Sequence, residues 1–214
     1  MVFIIIYLII SFLIGAIPTG LIIGKIKKID IRAQGSKNIG ATNVTRALGP
    51  FFGILTLIID STKAFLPLFL LNPISNHFNL NLSSLNIELL NIELWKGLIA
   101  LAILCGNTFN PFLRFKGGKG VATGLGIMLY LNPYGVLISF IIFLIVVIIT
   151  RYISLGSILA VLAIIISSFF FLKSFYIIIA IFLIGFIVIL RHKENIKRLL
   201  NSTENKFSFK SSKK

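Results

Sequence analysis

The sequence predicts an all-α integral membrane protein with about seven transmembrane helices, and two observations support this prediction. Of the 214 residues, 57% are hydrophobic and 13% are charged, with a mean hydropathy of +1.02, whereas about 25% of residues are charged in soluble domains. The 21 Lys and Arg residues lie mostly in short segments between apolar runs. Basic loops that flank a membrane account for the net charge of +15. The charge therefore needs no nucleic-acid partner to explain it, and we expect none.

Seven apolar segments meet or approach the roughly 20 residues that a membrane-spanning helix needs. In chain order they are 2–24, 51–71, 94–108, 121–131, 134–150, 153–172 and 174–190. The first has no basic leader and no small-residue cleavage site, so we expect a retained span rather than a signal peptide. The fourth is short for a hydrocarbon core of roughly 30 Å at about 1.5 Å per residue, which makes five or six spans the alternative.

The positive charges also predict the orientation of the helices. With seven spans, the loops on the side of the C-terminus are 25–50, 109–120, 151–152 and 191–214, and together they contain 18 of the 21 Lys and Arg residues. Basic loops are retained in the cytoplasm, so we predict that the N-terminus lies outside the cell and the C-terminus lies in the cytoplasm. Every polar loop of interest then faces the same compartment.

We expect one membrane domain, 1–214, with few additional features. The outward segment 72–93 is rich in Asn, Ser and Leu and is typical of a spacer. The basic tail 210–214 is predicted to be disordered. Asp60 and Lys63 are three residues apart in the second span and can form an ion pair on one helix face, although intramembrane charges also indicate functional sites.

The first polar segment with chemical potential is 35–46, GSKNIGATNVTR. It is too polar to cross the membrane and too long for a minimal connection, which favours a functional loop. Ser36 offers a hydroxyl, Asn43 an amide and Arg46 a guanidinium, and a guanidinium can bind two phosphate oxygens at once.

The second polar segment is FKGGKGVAT, residues 115–123. Its glycines and Lys119 precede an apolar run, so we expect a sharp turn that presents N–H groups and an ammonium at a helix N-terminus. Such an arrangement suits an anion, most often a phosphate. The alternative is a simple glycine turn, with the lysine marking the cytoplasmic end of a span.

Two further polar groups lie in the predicted cytoplasmic loops. Ser154 and Ser157 share a helix face at the start of the sixth span, where they can either serve a site or hydrogen-bond back to the helix. His192 and Asn195 share a face just after the last span. His192 is therefore a candidate proton carrier or a hydrogen-bond donor to phosphate.

Several common catalytic patterns are missing from the sequence. It has no Cys or His cluster with metal-ligand spacing, no Gly-x-Ser-x-Gly elbow and no Gly-Lys-Ser/Thr ending on the glycine loop. We therefore expect no metal and no cofactor. An anion site built from Arg, Lys, Ser and glycine N–H groups remains, and it suits a small phosphorylated substrate that meets a lipid-soluble one.

Three segments resemble, in order and spacing, the signature regions of the bacterial acyl-phosphate:glycerol-3-phosphate acyltransferases: 35–46, 115–123 and 192–207 (HKENIKRLLNSTENKF). The likeness spans nearly the whole chain. It implies a seven-span protein of the bacterial cell (inner) membrane whose active site faces the cytoplasm. The implied reaction transfers a fatty acyl group from acyl phosphate to the 1-hydroxyl of glycerol 3-phosphate, giving lysophosphatidic acid and phosphate. The implied partners are these two substrates, the lipid bilayer and an acyl-phosphate-producing enzyme.

The same resemblance implies roles for individual residues by their position in the signature regions. The implied catalytic residues are Ser36, Arg46, Lys119, His192 and Asn195. The implied phosphate-binding residues are Ser36, Arg46, Gly117, Gly118, Lys119, Gly120 and Ser157, the last chosen over Ser154. Asn43 and Glu204 are predicted to be structural.

The chain departs from the family pattern just before the glycine loop. The family usually reads Gly-His-x-Phe-Pro there, whereas this sequence reads Gly-Asn-Thr-Phe-Asn over 106–110, with its proline at Pro111. Asn107 can keep a hydrogen bond but cannot transfer a proton. Because the glycine loop itself is unaltered, we expect activity to be retained.

The resemblance favours acyl transfer without an acyl-enzyme, because an acyl phosphate is already activated and needs mainly positioning and charge stabilisation. The proton of the attacking hydroxyl can pass to His192 or to the substrate's own phosphate. A membrane transporter of a phosphorylated metabolite is the alternative function; it predicts internal repeats and polar groups on both membrane faces. A scaffold for lipid-synthesis partners would explain the basic segment 206–214 but not the glycine loop.

Overall fold

The computed structural model describes residues 2–77 and 91–207, and the regular structure of these residues is entirely helical. The helices are α1 (Val2–Gly15), α2 (Thr19–Ile26), α3 (Ala41–Leu48), α4 (Pro50–His77), α5 (Ile92–Thr108), α6 (Val121–Leu131), α7 (Pro133–Thr150), α8 (Ile153–Phe171), α9 (Phe175–Leu190) and α10 (Lys193–Leu200). Two short 3-10 turns lie at Ile31–Ala33 and Pro111–Leu113. The predicted disordered tail 210–214 and most of the predicted spacer 72–93 lie outside the described residues.

Among the described residues, four helices are long and apolar enough to cross a membrane: α4, α5, α7 and α8. The count becomes six if each of two bent pairs forms one span, namely α1 with α2 and α9 with α10. Helix α6 has only 11 residues and corresponds to the short fourth segment of the sequence prediction. The described helices therefore give four to six candidate spans, and a seventh would have to include α6.

The first predicted span is broken rather than continuous. Helices α1 and α2 meet at an angle of 42° around residues 16–18. Pro18 has no N–H to donate, which ends regular helical hydrogen bonding at this point. The carbonyl of Ile17 accepts hydrogen bonds from the Thr19 N–H at 3.0 Å and from Lys63 Nζ at 2.7 Å, so a side chain from α4 helps to satisfy the backbone at the break.

Side-chain caps explain where several helices begin. Asn91 Oδ1 accepts a hydrogen bond from the Glu93 N–H at 2.9 Å at the start of α5, and Asn132 Oδ1 accepts one from the Gly135 N–H at 3.0 Å at the start of α7. Ser174 Oγ caps α9 in the same way at 3.4 Å. These oxygens satisfy N–H groups that have no partner within their own helix, and so they fix where each helix begins. Each of the three helices begins within two residues of its predicted boundary.

Helix α5 lies at the centre of the bundle and packs against α1, α4, α6 and α9. Its Ile99, Ile103 and Leu104 side chains are fully buried in the main apolar core. The contact with α1 is especially close because the position of a Gly106 Cβ would overlap the Phe12 carbonyl. Only glycine permits this approach of two helix backbones.

The predicted ion pair between Asp60 and Lys63 in α4 is confirmed. The two charged groups are 2.7 Å apart and both side chains are buried. Thr19 Oγ1 also donates to Asp60 Oδ1 at 2.7 Å. A buried charge is costly without such a partner, so the pair accounts for the presence of two ionisable groups among apolar helices.

The connections bring the polar segments together at one end of the bundle. The end of α5, the glycine loop and the start of α6 contact the α9–α10 junction, where Arg191 Nη2 donates to the Gly117 carbonyl at 2.9 Å. The segment after α10 returns across α8, where the Phe207 N–H donates to the Arg151 carbonyl at 2.7 Å. Segments far apart in the chain thus contribute side chains to one small region.

Candidate active site

The glycine loop, residues 117–120, is held on two sides. The Gly118 N–H donates to the Asn107 carbonyl at 3.0 Å. On the other side the Arg191 guanidinium donates to the carbonyls of Gly117 at 2.9 Å and Gly118 at 3.3 Å. These hydrogen bonds hold the loop between α5 and the α9–α10 junction at the start of α6.

The loop ends at Gly120, which adopts a left-handed conformation (φ +84°) as the N-cap of α6 and offers no side-chain cap. Within the described part of the chain, the N–H groups of Lys119, Gly120 and Val121 have no hydrogen-bond acceptor. Free N–H groups and the positive end of the helix dipole attract an anion. The structure therefore has the predicted glycine turn with free N–H groups at a helix start, and phosphate binding there stays a prediction.

Gly117 is required by space. A Cβ at this position would overlap the Asn107 backbone carbonyl, which cannot rotate away. We expect Gly117→Ala to displace the loop and lower kcat/KM on the order of 10²-fold, as when one anion-binding donor is lost. Kinetics in detergent measures this effect.

Gly124→Ala in α6 is the matched control, because a Cβ there meets nothing within 4 Å. It should keep full activity and raise stability by about 0.5–1 kcal/mol, since alanine replaces glycine inside a helix. Full activity in the Gly117→Ala variant would show that the loop geometry is not needed.

Lys119 lies at the centre of a polar network. Its Nζ donates to Asn195 Oδ1 at 2.6 Å, and Asn195 Nδ2 donates to Glu204 Oε1 at 2.8 Å. Among the described residues Lys119 has no second hydrogen-bond partner, so two of its three N–H donors remain for a ligand. Asn195 is buried and fixes the ammonium beside the free N–H groups of the loop.

Glu204 holds the far side of the network. Its buried carboxylate accepts hydrogen bonds from Ser154 Oγ at 3.1 Å and from Arg198 Nε at 2.7 Å, in addition to the bond from Asn195. It thus connects α8, α10 and the segment after α10. This arrangement agrees with a structural role for Glu204, which remains a prediction.

The segment 35–46 is organised by Asn43. The buried Asn43 amide donates to the Ile31, Gln34 and Asn38 carbonyls at 2.8–3.0 Å, and its oxygen accepts from the Ser36 N–H at 2.8 Å. One side chain therefore fixes the whole loop that carries Ser36.

Arg46 reaches from this loop towards the rest of the site. A Cβ built on Gly35, next to Ser36, would lie 3.5 Å from Arg46 Cδ. The Arg46 guanidinium donates to the Asn205 carbonyl at 3.4 Å, immediately after Glu204. The first signature segment thus meets the third.

The charges in this region do not balance. Within the described part of the chain, four cationic side chains and one carboxylate, that of Glu204, interact in this cationic cluster. The cations are Arg46, Lys119, Arg191 and Arg198. The pKa of Lys119 is lowered to about 8, mainly by burial; the carboxylate of Glu204 opposes this shift, and the neighbouring guanidinium groups add to it. Burial also lowers the pKa of Arg46. An excess of positive charge away from water favours a bound anion.

The pKa of Lys119 predicts a pH dependence. The ammonium is charged below about pH 8 and loses its proton as the pH rises through that value. We therefore expect kcat/KM, which reports the free protein, to fall above about pH 8. A Lys119→Arg variant stays charged and should lose this alkaline decline, so a decline that persists unchanged in that variant would assign it to another group.

His192 is buried at the start of α10, beyond the apolar helix α9. Burial lowers the pKa of His192 to about 4, so the ring is neutral at physiological pH. Its Nδ1 lies 2.8 Å from the Val188 carbonyl, which can only accept a hydrogen bond. Nδ1 therefore carries the proton, and Nε2 has a free lone pair.

The structure brings three of the predicted site residues into one hydrogen-bond network, with a fourth beside it. Lys119, Asn195 and Glu204 are linked by direct hydrogen bonds, and Arg46 contacts the residue after Glu204. The Ser157 hydroxyl donates instead to the Ile153 carbonyl of its own helix at 2.9 Å, so its role as a phosphate ligand stays a prediction.

Sequence reasoning missed two contributors to this region, Arg191 and Arg198. Arg191 directly precedes His192, and its position beside that segment was the available signal. Ser154 was considered but placed second to Ser157. No group of three or more His, Cys, Asp or Glu side chains that could hold a metal ion occurs in residues 2–77 and 91–207.

Comparison with known proteins identifies the family. Residues 5–202 match the family model described as glycerol-3-phosphate acyltransferase. The chain belongs to the glycerol-3-phosphate acyltransferase family. Curated members include proteins of that name from Fusobacterium nucleatum, 44% identical over 95% of this chain and 97% of the relative, and from Trichlorobacter lovleyi, 42% identical over 92% and 94%.

Solved structures of a glycerol-3-phosphate acyltransferase share the fold. The integral membrane protein PlsY (YgiH) in its glycerol 3-phosphate form aligns with a TM-score of 0.83 and 35% identity, covering 96% of each chain. Its lysophosphatidic acid form aligns with a TM-score of 0.81 and 34% identity, also over 96% of each chain. The prediction of this family from three short segments is confirmed.

Proposed function

We propose that the protein transfers a fatty acyl group from acyl phosphate to the sn-1 hydroxyl of glycerol 3-phosphate and releases lysophosphatidic acid and phosphate. The observation that carries the proposal is the cationic cluster around Lys119, beside free N–H groups at the start of α6. Both substrates contain phosphate, which such a cluster binds. The names of the curated relatives support the choice of glycerol 3-phosphate as substrate. The PlsY structures in a glycerol 3-phosphate form and a lysophosphatidic acid form support both the substrate and the product.

We assign the phosphate-binding roles as follows. Arg46 and Lys119 neutralise phosphate charge, while Ser36 and the N–H groups of the glycine loop orient the oxygens. Asn195 holds the Lys119 ammonium in place. Ser157 would need to rotate its hydroxyl away from the Ile153 carbonyl to join them.

The reaction needs no covalent intermediate on the protein. The hydroxyl oxygen of glycerol 3-phosphate attacks the acyl carbonyl carbon, and the bond between that carbon and the phosphate oxygen breaks. The electron pair leaves with the phosphate, whose new charge Lys119 and the loop N–H groups stabilise. Holding the two substrates side by side supplies much of the remaining acceleration.

The proton of the hydroxyl passes most easily to a substrate phosphate. His192, with a pKa of about 4, is a weaker base than a phosphate monoester, whose second pKa is about 6. We assign His192 Nε2 as the acceptor that orients the hydroxyl before attack. This role requires the tautomer with the proton on Nδ1, which the hydrogen bond to the Val188 carbonyl favours and which leaves Nε2 free to accept.

We further propose the membrane arrangement. With α6 counted as a span, the chain crosses the membrane seven times, with its N-terminus outside and its C-terminus in the cytoplasm. The 18 Lys and Arg residues in the loops on the site's side support this orientation. The site then faces the cytoplasm of a bacterial cell from its inner membrane, where an acyl-phosphate-producing enzyme can supply the lipid substrate.

A reconstituted assay tests the proposed activity. Purified protein in detergent receives glycerol 3-phosphate with either acyl phosphate or acyl-CoA, and lysophosphatidic acid is measured. We expect product and an equal amount of phosphate from acyl phosphate only. Product from acyl-CoA without product from acyl phosphate would refute the proposed donor.

A further inference from the structure

The buried pair of Asp60 and Lys63 in α4 lies outside the proposed phosphate network but close to it. Asp60 Oδ1 binds Lys63 Nζ at 2.7 Å and also accepts from Thr19 Oγ1 at 2.7 Å. All three residues are buried. Their mutual pairing explains how the two charges are tolerated among apolar helices, but the reaction as proposed uses none of the three residues.

Lys63 uses all three of its N–H donors. They point to Asp60 Oδ1 at 2.7 Å, to the Ile17 carbonyl at 2.7 Å and to Asn107 Oδ1 at 3.4 Å. An ammonium has three donors and no acceptor, so its orientation is fully determined by these partners. The first two contacts stabilise the break between α1 and α2, whereas the third leads towards the glycine loop.

Asn107 supports the loop with both its backbone and its side chain. Its carbonyl accepts the Gly118 N–H at 3.0 Å, and a Cβ added to Gly118 would lie 3.0 Å from Asn107 Nδ2. The Asn107 side chain therefore lies directly behind Gly118, and Lys63 fixes its oxygen. A movement of this amide would be transmitted to the loop that presents the free N–H groups.

We propose that Asp60 and Lys63 are positioning residues for acyl transfer: Asp60 orients Lys63, Lys63 orients Asn107, and Asn107 holds Gly118 so that the loop N–H groups face the substrate phosphate. The inference rests on the proposed phosphate-binding role of the glycine loop. Neither charged group contacts substrate. Their effect on the reaction is expressed through the position of the loop.

An ion pair with a purely structural role would affect stability but not the KM of one substrate in particular. The Glu93–Lys96 pair at the start of α5 has the same spacing and the same 2.7 Å separation, but lies about 16 Å along the helix from Asn107. Removing it changes an ion pair without changing the loop. It is therefore the matched control for a general effect on stability.

The test uses the charge-balanced double variant Asp60→Asn/Lys63→Met, which leaves no unpaired buried charge. The reference variant is Gly118→Ala, whose added Cβ would lie 3.0 Å from Asn107 Nδ2 and so disturbs the loop directly. We expect the double variant to raise the KM for the substrate whose KM Gly118→Ala raises, by about tenfold, equivalent to the loss of one hydrogen bond. The KM for the other substrate should change less than about twofold. The control Glu93→Gln/Lys96→Met should leave both KM values unchanged.

Asn107→Ala provides a second variant in case the double variant does not fold. It keeps the ion pair and should raise the same KM. Adding Asn107→Ala to the double variant should cause no further change, because all three residues act through one contact chain. Additive effects, or equal changes in both KM values, would overturn the positioning role.

The two proposals can fail separately. A wild-type protein that makes no lysophosphatidic acid would refute the proposed function. The positioning role is then judged from the stabilisation that inorganic phosphate gives in thermal unfolding. A smaller stabilisation in the double variant than in the control supports the role, and equal stabilisation overturns it.

Discussion

Replacing Lys119 by methionine should lower kcat/KM on the order of 10²–10³-fold, the usual cost of removing one donor to a developing negative charge. The methionine side chain has a similar length but carries no charge. The Asn195 amide would lose the ammonium that it holds at 2.6 Å. Steady-state kinetics with acyl phosphate and glycerol 3-phosphate measures the effect.

Lys116→Met is the control, because Lys116 directly precedes the glycine loop but is exposed to solvent. It removes an equal charge and should change kcat/KM by less than about threefold, as expected for an exposed charge. Thermal unfolding of both variants excludes a loss of structure. A Lys119→Met variant with wild-type turnover would show that the cationic cluster is not the phosphate site.

Glu204→Ala should produce the second large effect, a loss of stability together with a loss of activity. Three donors, from Ser154, Asn195 and Arg198, would lose their acceptor. Breaking such a buried pair costs about 3 kcal/mol when one partner remains partly accessible, as Arg198 does. Asn195 would then no longer be held against Lys119, so activity should fall with stability.

The stabilisation by Glu204 should also depend on pH. Burial alone would raise the pKa of Glu204, but hydrogen bonds from Arg198 and Asn195 lower it below its usual 4.5. A carboxylate with a lowered pKa stabilises the fold fully above its usual pKa and progressively less as the pH falls below it. Wild-type protein should therefore lose stability towards acid faster than Glu204→Ala.

Glu204→Gln and Glu194→Ala separate the causes. Glutamine keeps the shape and one acceptor, so it should retain more stability than alanine. Glu194 is exposed in α10, and its removal should leave the thermal midpoint and activity unchanged. Equal midpoints for Glu204→Ala and Glu194→Ala would contradict the structural role of Glu204.

The sequence predicted those features that depend on local residue order. Apolar length identified the helical segments, and spacing along one face identified the pair of Asp60 and Lys63. The three glycines around Lys119 also predicted a loop with free N–H groups at a helix start. In each case, neighbouring residues determine the result.

Features that depend on tertiary packing could not be predicted in the same way. The 42° break in the first span is stabilised by Lys63, 46 residues after Ile17. Arg191 binds the glycine loop from another helix, and the choice between Ser154 and Ser157 depends on the rotation of α8 against Glu204. No local pattern in the sequence carries this information.

Isotope exchange is the most direct test of acyl transfer without an acyl-enzyme. In this mechanism the protein binds phosphate and never accepts the acyl group itself. Purified protein is incubated with acyl phosphate and radiolabelled inorganic phosphate, without glycerol 3-phosphate, after the same preparation has been shown to make lysophosphatidic acid. We predict that no label enters acyl phosphate, because no acyl-enzyme forms. Label entering acyl phosphate at a rate comparable to turnover would reveal a covalent intermediate and contradict direct transfer.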